Sequence, residues 1–427
     1  MLIEFRTGNF RSIREEQALT MEAGRGGDPA DFRPRRVGGY SERLLPAVAF
    51  YGANASGKSN MLAALRFMRD AVDMSHRLWP PDEGVPRQSF AWGNKVSEPS
   101  LFEVSVLIDG VRHRYGFTCD DMRIVEEWLH VWPKGRKQTW FTRAESGLKF
   151  GELFLGESRL IEQVTRSNAL FLSAAAQLGH PQATPLYQWF KALRTFNVPA
   201  ASMGARKYGF PTRHGGSSWL WQTLEERSAL DHQPSLFDDG ETSDPRYQVF
   251  LEMLRAADIG IVDVKLEKKE KEHWPPRVLL RHQNLSDEAW LPLEEESGGT
   301  RTLFRMGPGL VDSLFSGGVL AIDELEASLH PLLALWVVRR FNDPLTNPQN
   351  AQIIFATHDT NLLGTSAGDP PLRRDQVWLT EKDREGATHL YPLTDYKPRK
   401  EENLERGYLQ GRYGAIPCLG DLTGFDR

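Results

Sequence analysis

The chain is poor in cysteine, with only Cys119 and Cys418 in 427 residues. Two thiols cannot staple a chain of this size, so a disulfide framework is excluded and a reducing cytoplasm is the simplest setting. Long apolar runs are missing as well. No window approaches the roughly 20 residues that a membrane span requires, so no membrane partner is expected. The opening Met1-Leu2-Ile3-Glu4-Phe5-Arg6 carries charge at Glu4 and Arg6 and does not read as a secretory leader. There is no fixed-period repeat and no sustained heptad pattern, which argues against a long coiled-coil arm. Neither sign of charge dominates: 52 Lys and Arg against 57 Asp and Glu leave a net charge of -5. That excludes a general polyanion binder and leaves only local basic patches.

The length exceeds what one ordinary core needs, so two or three structural units are expected. Residues 2–6 alternate apolar and polar as a half-buried strand does. Residues 24–43 read as a loop, and the apolar Leu45–Tyr51 reads as a buried strand followed by a glycine loop and a helix over about Lys58 to Met74. From Leu101 to Phe117 the alternation is strong, with a turn at Asp109-Gly110, which is a hairpin signal. Meander strands continue to about Gly156. Residues 157–258 read as a helical insertion with exposed loops over 204–217 and 231–246. Residues 259–296 return to strands, and 297–395 alternate helix and strand as the second half of an α/β core. The expected units are therefore 1–156, 157–258 and 259–427.

Four short elements carry chemistry. Gly52-Ala53-Asn54-Ala55-Ser56-Gly57-Lys58-Ser59 fits G-x-x-x-x-G-K-[ST] between a predicted strand and a predicted helix, the context that pattern requires. Glycines let backbone amides ring a phosphate, and the helix N-terminus adds partial positive charge. Lys58 would reach the β- and γ-phosphates and the Ser59 hydroxyl would bind Mg²⁺, with Asn60 opening the helix behind them. Second, Gly318-Val319-Leu320-Ala321-Ile322-Asp323-Glu324 is an apolar strand ending in two carboxylates, costly unless they have a task. Asp323 would hold Mg²⁺ and Glu324 would polarise the attacking water. Third, Gln352-Ile353-Ile354-Phe355-Ala356-Thr357-His358-Asp359 again ends an apolar strand in polar groups, and His358 is placed to sense the γ-phosphate. Fourth, Glu296-Ser297-Gly298-Gly299-Thr300 opens a helix. Ser-Gly-Gly is a common turn, and its place between the first loop and the carboxylate strand is what gives it meaning.

Phosphate loop, Ser-Gly-Gly, Asp-Glu and His in that order resemble the ABC-type ATPases. The long interval between Ser59 and Ser297 is similar to the SMC/RecF/RecN branch, as are Gly8-Asn9-Phe10-Arg11-Ser12-Ile13 and the run Glu324-Leu325-Glu326-Ala327-Ser328-Leu329-His330-Pro331, which looks like that branch's D-loop. Tyr408-Leu409-Gln410-Gly411-Arg412-Tyr413-Gly414-Ala415-Ile416-Pro417 and Phe171-Leu172-Ser173-Ala174-Ala175-Ala176-Gln177 further resemble RloA- and AbiL-like ATPases of phage defence, with the AriA subunit of PARIS a relative in kind. The resemblance implies an ABC-type P-loop head, a mixed sheet with an antiparallel meander and an inserted helical subdomain. It implies ATP and Mg²⁺ as cofactors, ATP hydrolysis, and a head-to-tail homodimer with room for a higher homo-oligomer. Lys58, Ser59, Asp323, Glu324 and His358 would come from one chain, and Ser297 and Gly299 from the other. Asn54, Ala55, Ser56, Gly57, Asn60 and Arg11 would complete the nucleotide contacts, and Gln88 is the candidate Q-loop ligand to the metal.

Related nucleases of the OLD type carry a TOPRIM domain after the ATPase. This sequence shows no spare glutamate with an Asp-x-Asp set, so no nuclease activity is expected in it. The first functional expectation is a cytoplasmic regulatory ATPase that holds a separately encoded toxin or nuclease in check until a trigger, such as a phage product, arrives. The second is a RecF-like ATPase that clamps DNA, for which the basic groups Arg33, Arg35, Arg36; Lys134, Arg136, Lys137; Arg206, Lys207, Arg213; and Lys397, Arg399, Lys400 are candidates. A transporter's nucleotide-binding subunit is disfavoured by the motif spacing and the tail. Trp219 and Trp221 are expected in the core rather than in a docking patch.

Overall fold

The computed structural model describes residues 1–24, 30–200, 218–230, 244–257, 260–267, 277–283, 289–365, 368–398 and 402–417. Sixteen strands and nine α-helices are labelled among them. The strands in chain order are β1 (Leu2–Gly8), β2 (Gln17–Thr20), β3 (Ala47–Gly52), β4 (Ser100–Ile108), β5 (Val111–Cys119), β6 (Ile124–Trp132), β7 (Gln138–Ala144), β8 (Gly147–Phe150), β9 (Arg194–Phe196), β10 (Ile261–Glu267), β11 (Arg277–His282), β12 (Trp290–Pro292), β13 (Val319–Ile322), β14 (Gln352–Ala356), β15 (Val377–Lys382) and β16 (Thr388–Pro392). The helices are α1 (Lys58–Met74), α2 (Ser158–Val164), α3 (Phe171–Gln177), α4 (Thr184–Ala192), α5 (Ser218–Leu230), α6 (Pro245–Ala257), α7 (Gly298–Ser316), α8 (Pro331–Asn342) and α9 (Leu404–Leu409).

The centre is a six-stranded sheet in the order β16-β15-β3-β14-β13-β9, parallel except for the β15–β16 pair. Every residue of β3, β13 and β14 is buried. This is why these segments are apolar runs in the sequence, interrupted only by Gln352 at the start of β14: a parallel strand covered on both faces has no solvent side for polar residues. Successive side chains point to opposite faces, so the sheet divides the core in two. Val48, Phe50, Ala321, Ile354 and Ala356 belong to one hydrophobic cluster, with α1, α3, α4 and the meander. Ala49, Tyr51, Leu320, Ile322, Ile353 and Phe355 belong to the other, with α5 to α8 and the tail.

Helix α1 packs between two sheets, touching β3 and β14 on one side and β1 and β4 on the other. It accordingly buries residues around most of its circumference, including Met61, Ala64, Phe67, Met68 and Val72. The second sheet is the expected antiparallel meander, extended by the N-terminal strand in the order β2-β1-β4-β5-β6-β7-β8. Its β4–β5 turn is at Asp109 and Gly110, both left-handed with φ of 48° and 75°, the backbone a two-residue hairpin turn needs. A third sheet, β10-β11-β12, lies in the second half.

The segment 157–258 contains more than helices. Strand β9 pairs in parallel with β13 at the edge of the central sheet, and three residues are too few to leave a periodic signal. The helices also divide: α3 and α4 contribute to the first core, α5 and α6 to the second. Trp219 is 5% exposed and packs in the second core, with Trp221 half-buried against it. Of the loops expected over 204–217 and 231–246, residues 204–217 and 231–243 lie outside the described residues, as do Arg206, Lys207, Arg213, Arg399, Lys400 and Cys418, while Pro245 and Arg246 open α6.

The run Phe171-Leu172-Ser173 is held by a buried carboxylate. Glu127 on β6 is fully buried and accepts the backbone N–H of Phe171 at 2.7 Å, that of Leu172 at 3.0 Å and the Tyr115 hydroxyl at 3.0 Å. Arg143 stands 4.0 Å away. Glu127→Leu would leave the Phe171 and Leu172 N–H groups and the Tyr115 hydroxyl without this acceptor, while Arg143 keeps its bonds to the carbonyls of Arg166, Ser167 and Ala169. The variant is expected to lose about 3–5 kcal/mol of stability, read as a lower denaturant midpoint in equilibrium unfolding.

Candidate functional site

The carboxyl ends of β3, β13 and β14 converge at one edge of the central sheet. Register brings this about: Ile322 pairs with Phe355, and Ala356 with Phe50. The residues just past these pairs are the Gly52–Ser59 loop, Asp323-Glu324 and Thr357-His358. Open parallel sheets bind ligands at this edge, because only there can polar groups leave the buried strands.

The loop folds on its own glycines. Gly57 has φ 114°, and a Cβ there would come within 2.1 Å of the Thr388 hydroxyl. At Gly52 a Cβ would meet the hydroxyls of Thr380 and Ser56 at 2.4 and 2.6 Å. Thr388 Oγ1 donates to the Ser56 carbonyl at 2.9 Å, and Ser56 Oγ is 2.6 Å from Thr380 Oγ1. Strands β15 and β16 therefore brace the loop from behind, leaving Asn54 and Ala55 exposed at its tip. Lys58 is buried and donates to the carbonyls of Gly52 at 2.8 Å and Ala53 at 3.1 Å. Burial pushes its ammonium pKa down to about 8, with Asp323, Glu326 and Glu324 pulling the other way. An ammonium held by two neutral carbonyls in a desolvated site gains from exchanging them for a phosphate.

Asp323 is 7% exposed. Burial raises its carboxyl pKa and the Glu324 charge adds to this, against a hydrogen bond from Ser59 and the charge of Lys58. Its Oδ1 is buried with no hydrogen-bond partner among the described residues. A buried carboxylate oxygen beside a serine hydroxyl fits a hard divalent cation, which would supply the missing partner and offset the burial cost. Glu324 follows in a left-handed backbone, φ 53°, with its side chain exposed. His358 is exposed at the end of β14, and burial of the ring's inner side together with the Lys58 charge lowers its pKa, which favours the neutral imidazole.

Arg11, Asn60 and Gln88 form a second layer. Arg11 Nε donates to Gln88 Oε1 at 2.7 Å, its Nη1 reaches Asn60 Oδ1 at 3.4 Å, and its Nη2 donates to the Ala200 carbonyl at 2.7 Å. Asn60 Nδ2 donates to Ser12 Oγ at 2.7 Å, and Ser12 reaches Thr388 at the same distance. Gln88 is thus brought to the P-loop helix, with its side-chain carbonyl engaged by Arg11.

Ser297 and Gly299 stand apart from this group. Ser297 caps α7, its Oγ accepting the Thr300 N–H at 3.1 Å and lying 2.8 Å from Thr300 Oγ1. Their neighbour is Ser328: a Cβ on Gly299 would lie 3.0 Å from the Ser328 carbonyl.

Two features escaped the sequence reading. Glu326, within the Glu324–Pro331 run but given no role there, accepts the Thr357 hydroxyl at 2.7 Å and the His358 backbone N–H at 2.6 Å. The tail is also part of the site's support. Tyr408 packs edge-on against Tyr51 at 5.5 Å, Tyr51 donates to the Asp359 carbonyl at 2.9 Å, and Thr360 Oγ1 donates to Glu405 at 3.2 Å.

Comparison with known proteins gives one family. The model described as "AAA domain, putative AbiEii toxin, Type IV TA system" matches residues 47–364, a span running from β3 through the segment after His358. No curated protein matches significantly. Among solved structures, a crystal structure of an Smc head bound to the C-terminal winged-helix domain of ScpA is 14% identical with a TM-score of 0.45, covering 91% of this chain and 97% of that one. An Smc head with an extended coiled coil, bound to the C-terminal domain of ScpA from Pyrococcus furiosus, is 13% identical with a TM-score of 0.41, covering 93% and 97%.

The glycine geometry yields a direct check. Gly57→Ala forces a left-handed alanine into the Thr388 hydroxyl, a combination of backbone strain and overlap worth about 2–4 kcal/mol. Thermal unfolding is expected to shift down, whereas Ala55→Gly, at a residue already left-handed (φ 64°) and exposed, is expected to leave the midpoint unchanged or raised.

Proposed function

The chain belongs to the family described as "AAA domain, putative AbiEii toxin, Type IV TA system", and on that footing we propose that it binds and hydrolyses ATP with Mg²⁺ and uses the cycle to control a separately encoded toxin or nuclease. The observation that carries the nucleotide part is the Asp323 carboxylate, buried beside Ser59 with one oxygen unpartnered, at the edge where Lys58 and the glycine loop also stand. In this reading Lys58 and the loop amides hold the β- and γ-phosphates. Ser59 and Asp323 hold the cation, which neutralises phosphate charge. Glu324 accepts a proton from the attacking water, and the neutral His358 donates to a γ-phosphate oxygen. Gln88 would be a further ligand for the metal, and Arg11, which now bonds Gln88 and Asn60, would contact the nucleotide together with Asn60.

A second chain supplies Ser297 and Gly299. ATP then acts as a conformational switch, because the site is complete only in the closed dimer. The regulatory reading follows from the family's toxin–antitoxin description and from the resemblance of the tail and the Phe171–Gln177 run to phage-defence ATPases. The effector and a phage-derived trigger belong to this proposal. A cytoplasmic location agrees with it, and no described helix is long and apolar enough to cross a membrane.

One observation favours the DNA-clamping reading. Lys134, Arg136 and Lys137 are exposed on the β6–β7 turn. The other candidates in the 30s are largely spent internally. Arg35 is buried and donates to the carbonyls of Phe32, Phe341 and Asn342, and Arg33 pairs with Asp31 at 2.7 Å.

Purified protein is expected to hydrolyse ATP only with Mg²⁺ present. Glu324→Gln should bind ATP, turn over at least about a hundredfold more slowly, and run as a closed dimer in ATP by size-exclusion chromatography with light scattering. Lys58→Ala should lose ATP binding itself. Normal turnover by Glu324→Gln would remove it as the base. ATP hydrolysis stimulated by duplex DNA, with a steep salt dependence that Lys134→Ala/Arg136→Ala/Lys137→Ala abolishes, would replace the regulatory reading with the DNA one.

A further inference from the structure

We propose that Glu326 is a positioning residue for the phosphate-sensing histidine: its carboxylate fixes the backbone at Thr357 and His358, and so sets where the His358 imidazole stands. This rests on the nucleotide reading given above.

Both oxygens of Glu326 are committed. Oε2 accepts from the Thr357 hydroxyl at 2.7 Å and Oε1 from the His358 N–H at 2.6 Å. Thr357 Oγ1 in turn accepts the Asp359 N–H at 3.0 Å, so one carboxylate organises three successive residues. By contrast, the His358 ring makes no hydrogen bond among the described residues. Its direction is therefore inherited from its backbone, which Glu326 ties down from the side of the Glu324 loop, while the Thr357 N–H to Phe50 carbonyl bond at 3.1 Å and the Tyr51 hydroxyl to Asp359 carbonyl bond at 2.9 Å hold it from the side of β3. Among the described residues one further bond joins the two loops directly, from the Leu325 N–H to the Ala356 carbonyl at 3.1 Å.

The same geometry separates the roles of two neighbouring acids. Glu324 is exposed, and its side chain makes no hydrogen bond among the described residues, so it is available to take a proton. Glu326 already accepts one bond on each oxygen, from Thr357 and from His358, and so is held against the neighbouring loop. The short path from Glu324 through Leu325 to Glu326 then makes one rigid piece that spaces the base from the histidine. Charge-assisted bonds of this kind are the strong ones, and an error of about 1 Å in such a spacing is enough to cost about a hundredfold in rate.

Glu326→Gln tests this in the full chain. The carboxamide keeps the shape but can accept through one oxygen only, so one of the two anchors fails. The expected result is a kcat lowered about ten- to a hundredfold, with the Kd for ATP and the thermal midpoint within about twofold and a degree or two of wild type, since Glu326 makes no hydrogen bond to the P-loop and acts on Lys58 only through its charge, beside Asp323 and Glu324. In a His358→Ala background, Glu326→Gln is expected to add little, because it acts through that ring. Glu326→Asp, which keeps both oxygens on a shorter arm, should recover part of the rate.

An unchanged kcat in Glu326→Gln, or full additivity with His358→Ala, overturns the proposal. So does a loss of ATP affinity and melting temperature as large as the loss of rate, which would mark the residue as merely structural. A wild-type chain that fails to bind ATP overturns the nucleotide reading and this one with it. A wild type that hydrolyses ATP beside an equally active Glu326→Gln overturns this one alone.

Discussion

The molecule depends on three parallel strands that can hold no charge. Because β3, β13 and β14 are buried along their whole length, an ionisable group within them would pay the full cost of desolvation. Charged residues appear only where the strands stop, and the one polar amide within them, Gln352 at the start of β14, is fully hydrogen-bonded to Leu2 and Leu45. The pairing register aligns those stopping points, so Lys58, Asp323 and His358 meet at one edge although they are remote in sequence. Even there the burial remains severe enough to lower the pKa of Lys58 and raise that of Asp323. The site is thus electrostatically incomplete by itself: a depressed ammonium and a buried carboxylate are groups that an anionic phosphate and a divalent cation would relieve.

The same strands explain how the chain is partitioned. A sheet buried on both faces needs two covers, and each cover is assembled from distant segments. The first combines α1, the meander and α3–α4; the second combines α5–α8 and the tail. The chain crosses from one to the other at β9 and beyond it, which is why 157–258 behaves as two half-layers joined through an edge strand. The tail completes the second cover. Tyr408 reaches Tyr51, which holds the Asp359 carbonyl, so the far end of the described chain braces the loop that carries His358.

Much of this was legible because burial on both faces writes itself into sequence as an apolar run, and its end is sharp. Ala47–Gly52 before a glycine loop, Val319–Ile322 before Asp323-Glu324, and Gln352–Ala356 before Thr357-His358 all showed their boundaries within a residue or two. The Asp109-Gly110 turn was legible for a different reason, since few residues tolerate two successive left-handed conformations. What did not show was lateral contact. Glu326 is an acid among apolar neighbours, and no periodicity says that its carboxylate crosses to the next strand's end. Arg11 with Gln88 is similar: each lies in a loop, and only the fold brings their side chains together. Strand β9 was lost because three residues carry no period, and the division of 157–258 because amphipathic helices do not declare which of two cores they face.

The accounting of polar groups bears on the proposed dimer. Within one chain, Lys58 is satisfied by the loop's own carbonyls, and the Ser297 hydroxyl by the first turn of its own helix. Both are bonds between near neighbours to neutral partners, which an anionic phosphate could replace. Gly299 lies close to the Ser328 carbonyl, four residues beyond Glu324 and on the same loop as Glu326. If a second chain presents this turn to the phosphate, as proposed, the loop beside it is the one whose Glu326 holds the His358 backbone. Closure of the dimer and placement of the histidine would then be one event, which is the property a nucleotide switch requires and a self-contained hydrolytic site does not.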